Sequence, residues 1–296
     1  MTARKVVAPA RPADMVPSFA SKVRFALMPA GAPYETHTGA VYFQRITARE
    51  VNRRVRSRFQ ELVLRLAAPG ARLFDFGAGP GIDARFFGER GFTVEAYDVD
   101  PGMCEFFTTY CRELIDSARV TLDRSGYREF LSRKSTLSGH PADLVISNFA
   151  PLNQVDELPE LFAKFHALTT PTGKLLLSVL TPYFIGDMKT RWWWRNAPRL
   201  WRTGCVSVQT GGAPPHTRRR LADFRASSRP YFELTRVFPG LSSEPERQPD
   251  GIDVTRPGRG AWLHLARSQF MILLFEKRDP VQFAVPTSRM APPAGH

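Results

Sequence analysis

Apolar residues recur along most of this chain in two periods that take turns. Across residues 46–67, Val51, Val55, Phe59, Leu62 and Leu66 fall at helical spacing with an Arg-rich opposite face. That spacing predicts an amphipathic helix, ended by Pro69-Gly70. Residues 72–76 read as a short buried strand, Gly77 to Gly81 as a turn, and Ile82 to Gly88 as a helix. The alternation continues with a strand over 93–97, a helix from Asp100-Pro101 to Ser117 and a weak strand over 119–122. A strong strand over 143–147, a helix over 156–168, a Pro171-Thr172-Gly173 turn and a strand over 174–180 complete it. Strands that alternate with helices and are continuously apolar predict a parallel sheet covered on both faces.

After Leu180 the alternation stops. Residues 181–262 are rich in Trp, Arg, Pro and Gly, with one strand-like run over 231–238, and a clear last strand follows over 268–276. The pattern divides the chain into a loose leader (1–30), an N-terminal helical lid (31–68) and a cofactor-binding core (69–182). A cap insertion that includes strand six (183–262), a last core strand (263–285) and a tail (286–296) follow. The fold class expected is α/β: a doubly wound, seven-stranded, mostly parallel sheet with a helical lid before it and a Trp/Arg-rich cap after strand five.

Composition narrows the setting. With 43% hydrophobic residues in a chain of 296, a core forms without disulfides. Cys104, Cys111 and Cys205 are an odd, sparse set with no metal-ligand spacing, which suits a reducing, cytoplasmic compartment and predicts no metal. No apolar run approaches the roughly 20 residues that span a bilayer, and the N-terminus lacks the apolar centre of a signal peptide. The net charge of +13 leaves nucleic acid, an anionic membrane, an acidic substrate and a merely solvated surface all open.

The glycines of Asp75-Phe76-Gly77-Ala78-Gly79-Pro80-Gly81 follow a strand and open a helix, where backbone turns tightly and a ligand approaches without a Cβ in the way. Asp98 ends the next strand, placed to accept the ribose hydroxyls of an adenosine-containing cofactor. The dinucleotide spacing G-x-G-x-x-G is not met: the third glycine comes one residue early, and Pro80 removes an N–H that a pyrophosphate would use. The D-x-G-x-G-x-G run resembles the first motif of class I S-adenosyl-L-methionine-dependent methyltransferases, of the small-molecule type. Tyr97-Asp98-Val99-Asp100-Pro101-Gly102-Met103 resembles their ribose-binding segment. The strand ending at Ser147-Asn148-Phe149-Ala150 resembles their fourth, and Pro171-Thr172-Gly173 their turn into the fifth; together these cover about residues 70–180, in order.

The resemblance implies S-adenosyl-L-methionine as cofactor. Gly77, Ala78, Gly79 and Gly81 would line its methionine part, Asp75 would orient its ammonium, and Asp98 would hold the ribose with Val99 against the adenine. Gly126 and Tyr127 would reach the adenine edge, and Asn148 and Phe149 would lie under the sulfonium. The stretch Tyr34 to Phe43 is similar to the lid of small-molecule members, in which a tyrosine, here Tyr34, covers the cofactor; Arg45 stands where many relatives carry an acid.

Methyl transfer needs an acceptor atom aligned with the departing sulfur and, for a hydroxyl, a base. His37 in the lid and His216 in the cap are the candidate bases, ahead of His166 and His264, and a phenol or carboxylate acceptor needs none. The cap leaves the carboxyl end of strand five and carries fourteen basic against seven acidic residues. Within it Trp192, Trp193 and Arg195 are candidates for an aromatic platform and an anion clamp on the acceptor. An apolar or aromatic small molecule, methylated on oxygen and bearing an acidic group, is the first reading. An RNA acceptor, a non-catalytic S-adenosylmethionine-binding protein and a membrane-surface role for the Trp/Arg cap remain as alternatives, and oligomeric state is open. The loop after strand four, Asn148-Phe149-Ala150-Pro151, has neither the Pro pair of amino-methylating nucleic-acid enzymes nor a cysteine for the covalent route to a pyrimidine ring.

Overall fold

A computed structural model of the protein describes residues 39–208, 216–241, 251–254 and 261–278. Two helices, α1 (Gly39–Ala48) and α2 (Glu50–Leu66), lead into β1 (Arg72–Phe76), α3 (Ile82–Gly88) and β2 (Thr93–Tyr97). Next come α4 (Pro101–Tyr110), α5 (Arg112–Asp116), β3 (Val120–Asp123), α6 (Tyr127–Ser132) and β4 (Ala142–Ser147). A 3-10 turn (Pro151–Gln154) precedes α7 (Leu158–Leu168) and β5 (Thr169–Leu180). The segment expected as a cap holds α8 (Ile185–Met188), α9 (Arg191–Thr203), β6 (Cys205–Val208), β7 (His216–Arg219) and α10 (Leu221–Ser228). The chain returns through β8 (Phe232–Pro239), β9 (Ile252–Asp253), α11 (Ala261–Ala266) and β10 (Phe270–Lys277).

The main sheet runs β3-β2-β1-β4-β5-β10-β8-β9. The first five strands are parallel; β10 is antiparallel to both β5 and β8. Seven strands were expected and the sheet has eight. The eighth, β9, is a two-residue pairing of Ile252 and Asp253 on the sheet edge against Val237 and Arg236, too short to leave a periodic trace in sequence.

The continuously apolar strands have a simple cause. Successive side chains of a strand point to opposite faces, and here both faces are cores. Phe74, Phe76, Val145, Leu175, Leu177, Leu273 and Phe275 pack on the side of α7 and α10. Leu73, Leu144, Ile146, Leu176, Ile272 and Leu274 pack on the side of α2, α3 and α4.

The helix expected over 46–67 is divided. Arg49 is extended (φ −87°, ψ 122°) and separates α1 from α2. Val55 and Phe59 are fully buried, but Val51 is exposed, and Arg58 and Gln60 are buried instead. The helix after β2 breaks at Cys111 into α4 and α5; Asp100 caps α4, its carboxylate accepting the Met103 N–H at 2.9 Å ahead of Pro101 in the first turn. Helix α6, unexpected from the pattern, buries only Phe130.

Candidate active site

Strand order reverses between β1 and β4, and in open α/β sheets the crevice at the carboxyl ends of such strands is where ligands bind. At this point the Ser147 hydroxyl donates to the Phe76 carbonyl at 2.8 Å, tying the two strand ends together. The Gly77 and Ala78 N–H groups donate to the Tyr97 carbonyl at 2.8 and 3.0 Å, so the elbow turns back over β2.

Each elbow glycine is required for a separate reason. All three have positive φ: Gly77 73°, Gly79 55° and Gly81 84°. A Cβ on Gly77 would lie 2.4 Å from Pro151 Cγ, and one on Gly81 2.7 Å from the Phe107 ring. A Cβ on Gly79 would meet nothing within 4 Å among the described residues. Gly77 and Gly81 are therefore packing glycines, whereas Gly79 faces open space in the crevice.

The crevice is lined by Asp75, Gly77 to Pro80, Asp83, Asn148 and Phe149, and on its outer side by Tyr42 of α1 and Arg56 of α2. Asp98 braces it: one carboxylate oxygen accepts the Gly79 N–H at 2.7 Å and the other the Asp100 N–H at 2.9 Å. Burial raises the Asp98 carboxyl above its ordinary value, opposed by these hydrogen bonds. Asp83 accepts from Gln60 Nε2 at 2.8 Å and Asn148 Nδ2 at 3.0 Å, and pairs with the Arg56 guanidinium, which stacks over the Phe149 ring at 4.6 Å.

Asp75 is the exception in this bonded network. It is 2% exposed, and its Oδ2 has no hydrogen-bond partner among the described residues. Burial first, then the charge of Asp83, raises its carboxyl well above the usual carboxylate range. Two acids, Asp75 and Asp83, thus line the crevice with one guanidinium, Arg56, and a third acid, Asp98, braces the glycine elbow beside it. That imbalance suits a cation and repels a pyrophosphate. An orphaned Asp75 oxygen for an ammonium, a bare Gly79 backbone for close approach and more acids than bases around the crevice fit S-adenosylmethionine, whose sulfonium and ammonium are both positive.

Strain collects at the same place. Phe149 and Ala150 are consecutive non-glycine residues in the left-handed region, φ 61° and 69°. Asn148 Oδ1 accepts the Phe149 N–H at 2.9 Å, and Phe149 meets Phe270 edge-on at 5.5 Å. Immediately beyond, the buried Asn153 accepts the Leu180 N–H at 2.9 Å and donates to the Thr217 carbonyl at 2.8 Å. One side chain thereby fastens the cap hairpin β6–β7 to the end of β5.

The structure brings together Asp75, Gly77, Ala78, Gly79, Asp98, Asn148 and Phe149 from the residues expected in sequence. Gly81 caps α3 behind them. Val99 is exposed and lies in an adjoining shallow cleft with Pro101, Cys104, Thr108 and Arg124. Tyr127 lines neither cleft: it packs on the α7-side core beside Phe130, and burial pushes its phenol up to about 12. His216 also lines neither. It lies on β7, and burial, then the charge of Arg218, lowers its imidazole to about 4. Trp192 lies under the Arg218 guanidinium at 5.4 Å, and Trp193 is buried with its indole N–H donating to the Pro182 carbonyl at 3.1 Å. Arg195 is exposed on the outer side of α9. His37 and Tyr34 lie outside the described residues, and nothing is described of the His264 side chain.

Tyr42, Arg56, Gln60 and Asp83 line or brace the crevice without having been singled out in the sequence. Gln60 and Arg56, four apart on α2, were hidden by an apolar stripe that turns polar where it meets the crevice. Asp83 was hidden by its place in a first helical turn, where an acid is ordinary.

Comparison with known proteins agrees with this geometry. Residues 48–212 match the family described as a methyltransferase domain. The chain belongs to that methyltransferase family. A malonyl-[acyl-carrier protein] O-methyltransferase of Serratia marcescens is 27% identical over 124 residues, 42% of this chain. The match spans 44% of that relative's length. Among solved structures, a Listeria monocytogenes protein assigned as an S-adenosylmethionine-dependent methyltransferase superposes with a TM-score of 0.51 at 13% identity, covering 75% of this chain and 98% of that one. The CcbJ methyltransferase of Streptomyces caelestis gives 0.50 at 14% identity, covering 76% and 89%. At these identities the likeness is one of fold: this methyltransferase domain is built on the same mostly parallel, doubly wound sheet.

Proposed function

We propose that this protein transfers a methyl group from S-adenosyl-L-methionine to an oxygen of an apolar or aromatic small molecule bearing an acidic group. The observation that carries the reading is the buried, unpartnered Asp75 Oδ2 beside the open face of Gly79. When bound, the donor supplies a methyl already activated by its sulfonium, so the protein's work is alignment and exclusion of water.

Each residue then has a defined task. Asp75 takes the donor's ammonium, offsetting the cost of its own burial. Asp98 orders the Gly79 backbone and offers its carboxylate to the ribose diol. Asn148 and Phe149, held by Asp83 and Arg56, form the wall at the reacting carbon. Tyr42, a half-buried phenol whose pKa is raised by burial, covers the outer side. Arg56 is the one guanidinium in the lining and the group suited to an acceptor's acid, an assignment supported by its position between Asp83 and Phe149. An acceptor carboxylate is ionised at neutral pH and needs no base, which accords with an imidazole-free lining among the described residues. The Serratia relative, named as an O-methyltransferase, supports oxygen as the atom methylated.

Calorimetric titration with S-adenosylmethionine tests the reading. Asp98→Ala is expected to weaken binding at least tenfold, since hydrogen bonds to a charged group are worth about 1.5–3 kcal/mol; unchanged affinity would remove Asp98 from the site.

A further inference from the structure

Helix α9 has a surface that the donor site does not use. Its inner side is ordinary: Trp193, Ala197 and Leu200 are buried. Its outer side is not. Trp194 and Trp201 are 63% and 71% exposed, the two most exposed large apolar side chains among the described residues. They stand seven residues apart, two turns along one edge, with exposed Pro198 between them. Beside this strip runs a second, of Arg191, Arg195, Arg199 and Arg202, all exposed. The helix holds no acidic residue, and among the described residues these four guanidinium groups have no hydrogen-bonding or ionic partner. The nearest acid in sequence, Asp187, is taken by the buried Arg218.

We propose that this outer side of α9 rests on an anionic phospholipid surface, with the indoles at headgroup depth and the arginines on the phosphates. The charge is complementary to such a surface and to little within the protein. Indoles sit favourably at a bilayer interface, and an in-plane helix with an apolar edge flanked by basic residues is the arrangement that holds there. Single-stranded nucleic acid asks instead for a groove in which aromatic rings and cations interleave; here the rings line one edge of a convex helix and the cations the other. Trp194 is also fixed in its pose, its indole N–H donating to the Met188 carbonyl at 2.9 Å and its ring edge-on to Trp193 at 5.0 Å. It is held outward, and no described residue covers it.

The position has a consequence for the acceptor. Trp193 ties α9 to Pro182, just past β5, and Asn153 ties the following hairpin to the same strand end. A docked α9 therefore holds the carboxyl-end crevice close to the membrane plane, within reach of an amphiphilic acceptor carried in the bilayer. This consequence rests on the proposed methyl transfer; the docking does not.

Vesicle sedimentation tests it, with phosphatidylcholine vesicles compared against phosphatidylcholine vesicles containing phosphatidylglycerol. The protein is expected to sediment with the anionic vesicles and not the neutral ones, and less so as salt rises. Trp194→Ala/Trp201→Ala, which loses the interfacial indoles, and Arg191→Glu/Arg202→Glu, which reverses charge at the anionic surface, are each expected to weaken vesicle binding at least about tenfold. Both variants should keep the wild-type S-adenosylmethionine affinity, because these side chains lie outside the donor crevice, and the arginine variant should keep the wild-type unfolding temperature as well. Failure of the wild type to bind anionic vesicles, or equal binding by both variants, would overturn the proposal. So would tighter binding to an RNA oligonucleotide or to polyglutamate than to the vesicles, lost in the same variants.

Discussion

Asp75 is a side chain whose placement makes sense only with a partner. An ionised carboxylate buried without a hydrogen bond on one oxygen destabilises the protein that carries it. With its native pKa raised above the unfolded value, the cost is absent below about pH 4 and grows as pH climbs through the native value. Asp75→Asn keeps the shape and removes the charge. The variant without ligand is expected to unfold about 2 °C or more above wild type at neutral pH, an advantage that vanishes near pH 4. The same substitution is expected to weaken S-adenosylmethionine binding at least about tenfold. Thermal scans across pH with parallel titrations check both; a destabilised variant with intact affinity would make Asp75 a structural residue. This residue was legible as an acid before the glycines, but its missing partner was not, since burial and hydrogen bonding are set by strands distant in sequence.

The glycine elbow and the post-β4 loop act at the scale of elements, and they separate packing from binding. Gly77→Ala drives a Cβ into Pro151, whereas Gly79→Ala enters open space at the cost of a left-handed alanine, about 1 kcal/mol. Gly77→Ala is expected to lower the unfolding temperature more, and Gly79→Ala to lose donor affinity while staying folded; the reverse order would place the ligand elsewhere. Asn153→Ala strands the Leu180 N–H and the Thr217 carbonyl. It is expected to cost about 2 kcal/mol or more in urea unfolding and to speed hydrogen exchange in the hairpin β6–β7. Elements with strong periods, β1, α3, β2 and β4, were legible almost to the residue, because one face or both carry unbroken apolar patterns. Helix α6 was not, because one buried phenylalanine makes no period. The division of the first helix at Arg49 leaves no mark in the pattern, because the apolar residues that carry the period, Val51 to Leu66, all lie in α2.

Taken whole, the molecule sets a chain of net charge +13 against a donor crevice lined by two acids, Asp75 and Asp83, and one guanidinium, with Asp98 bracing its glycines. The net charge was plain from composition. The crevice was only half legible: its glycines and its β1 and β2 acids lie in one ordered run, whereas Tyr42, Arg56 and Gln60 reach it from helices before the sheet. The acceptor's identity was not legible at all, since the cap that would select it presents side chains packed by contacts between α9, β7 and the end of β5. The roles of Asp75, Gly79 and Asp98 all require the donor to lie in this crevice. A crystal structure grown with S-adenosylhomocysteine measures that directly. The amino group is expected against Asp75 Oδ2, the chain of the ligand over Gly79 and the ribose on Asp98. A ligand bound outside the crevice, or with its ribose remote from Asp98 and its amino group remote from Asp75, would contradict it.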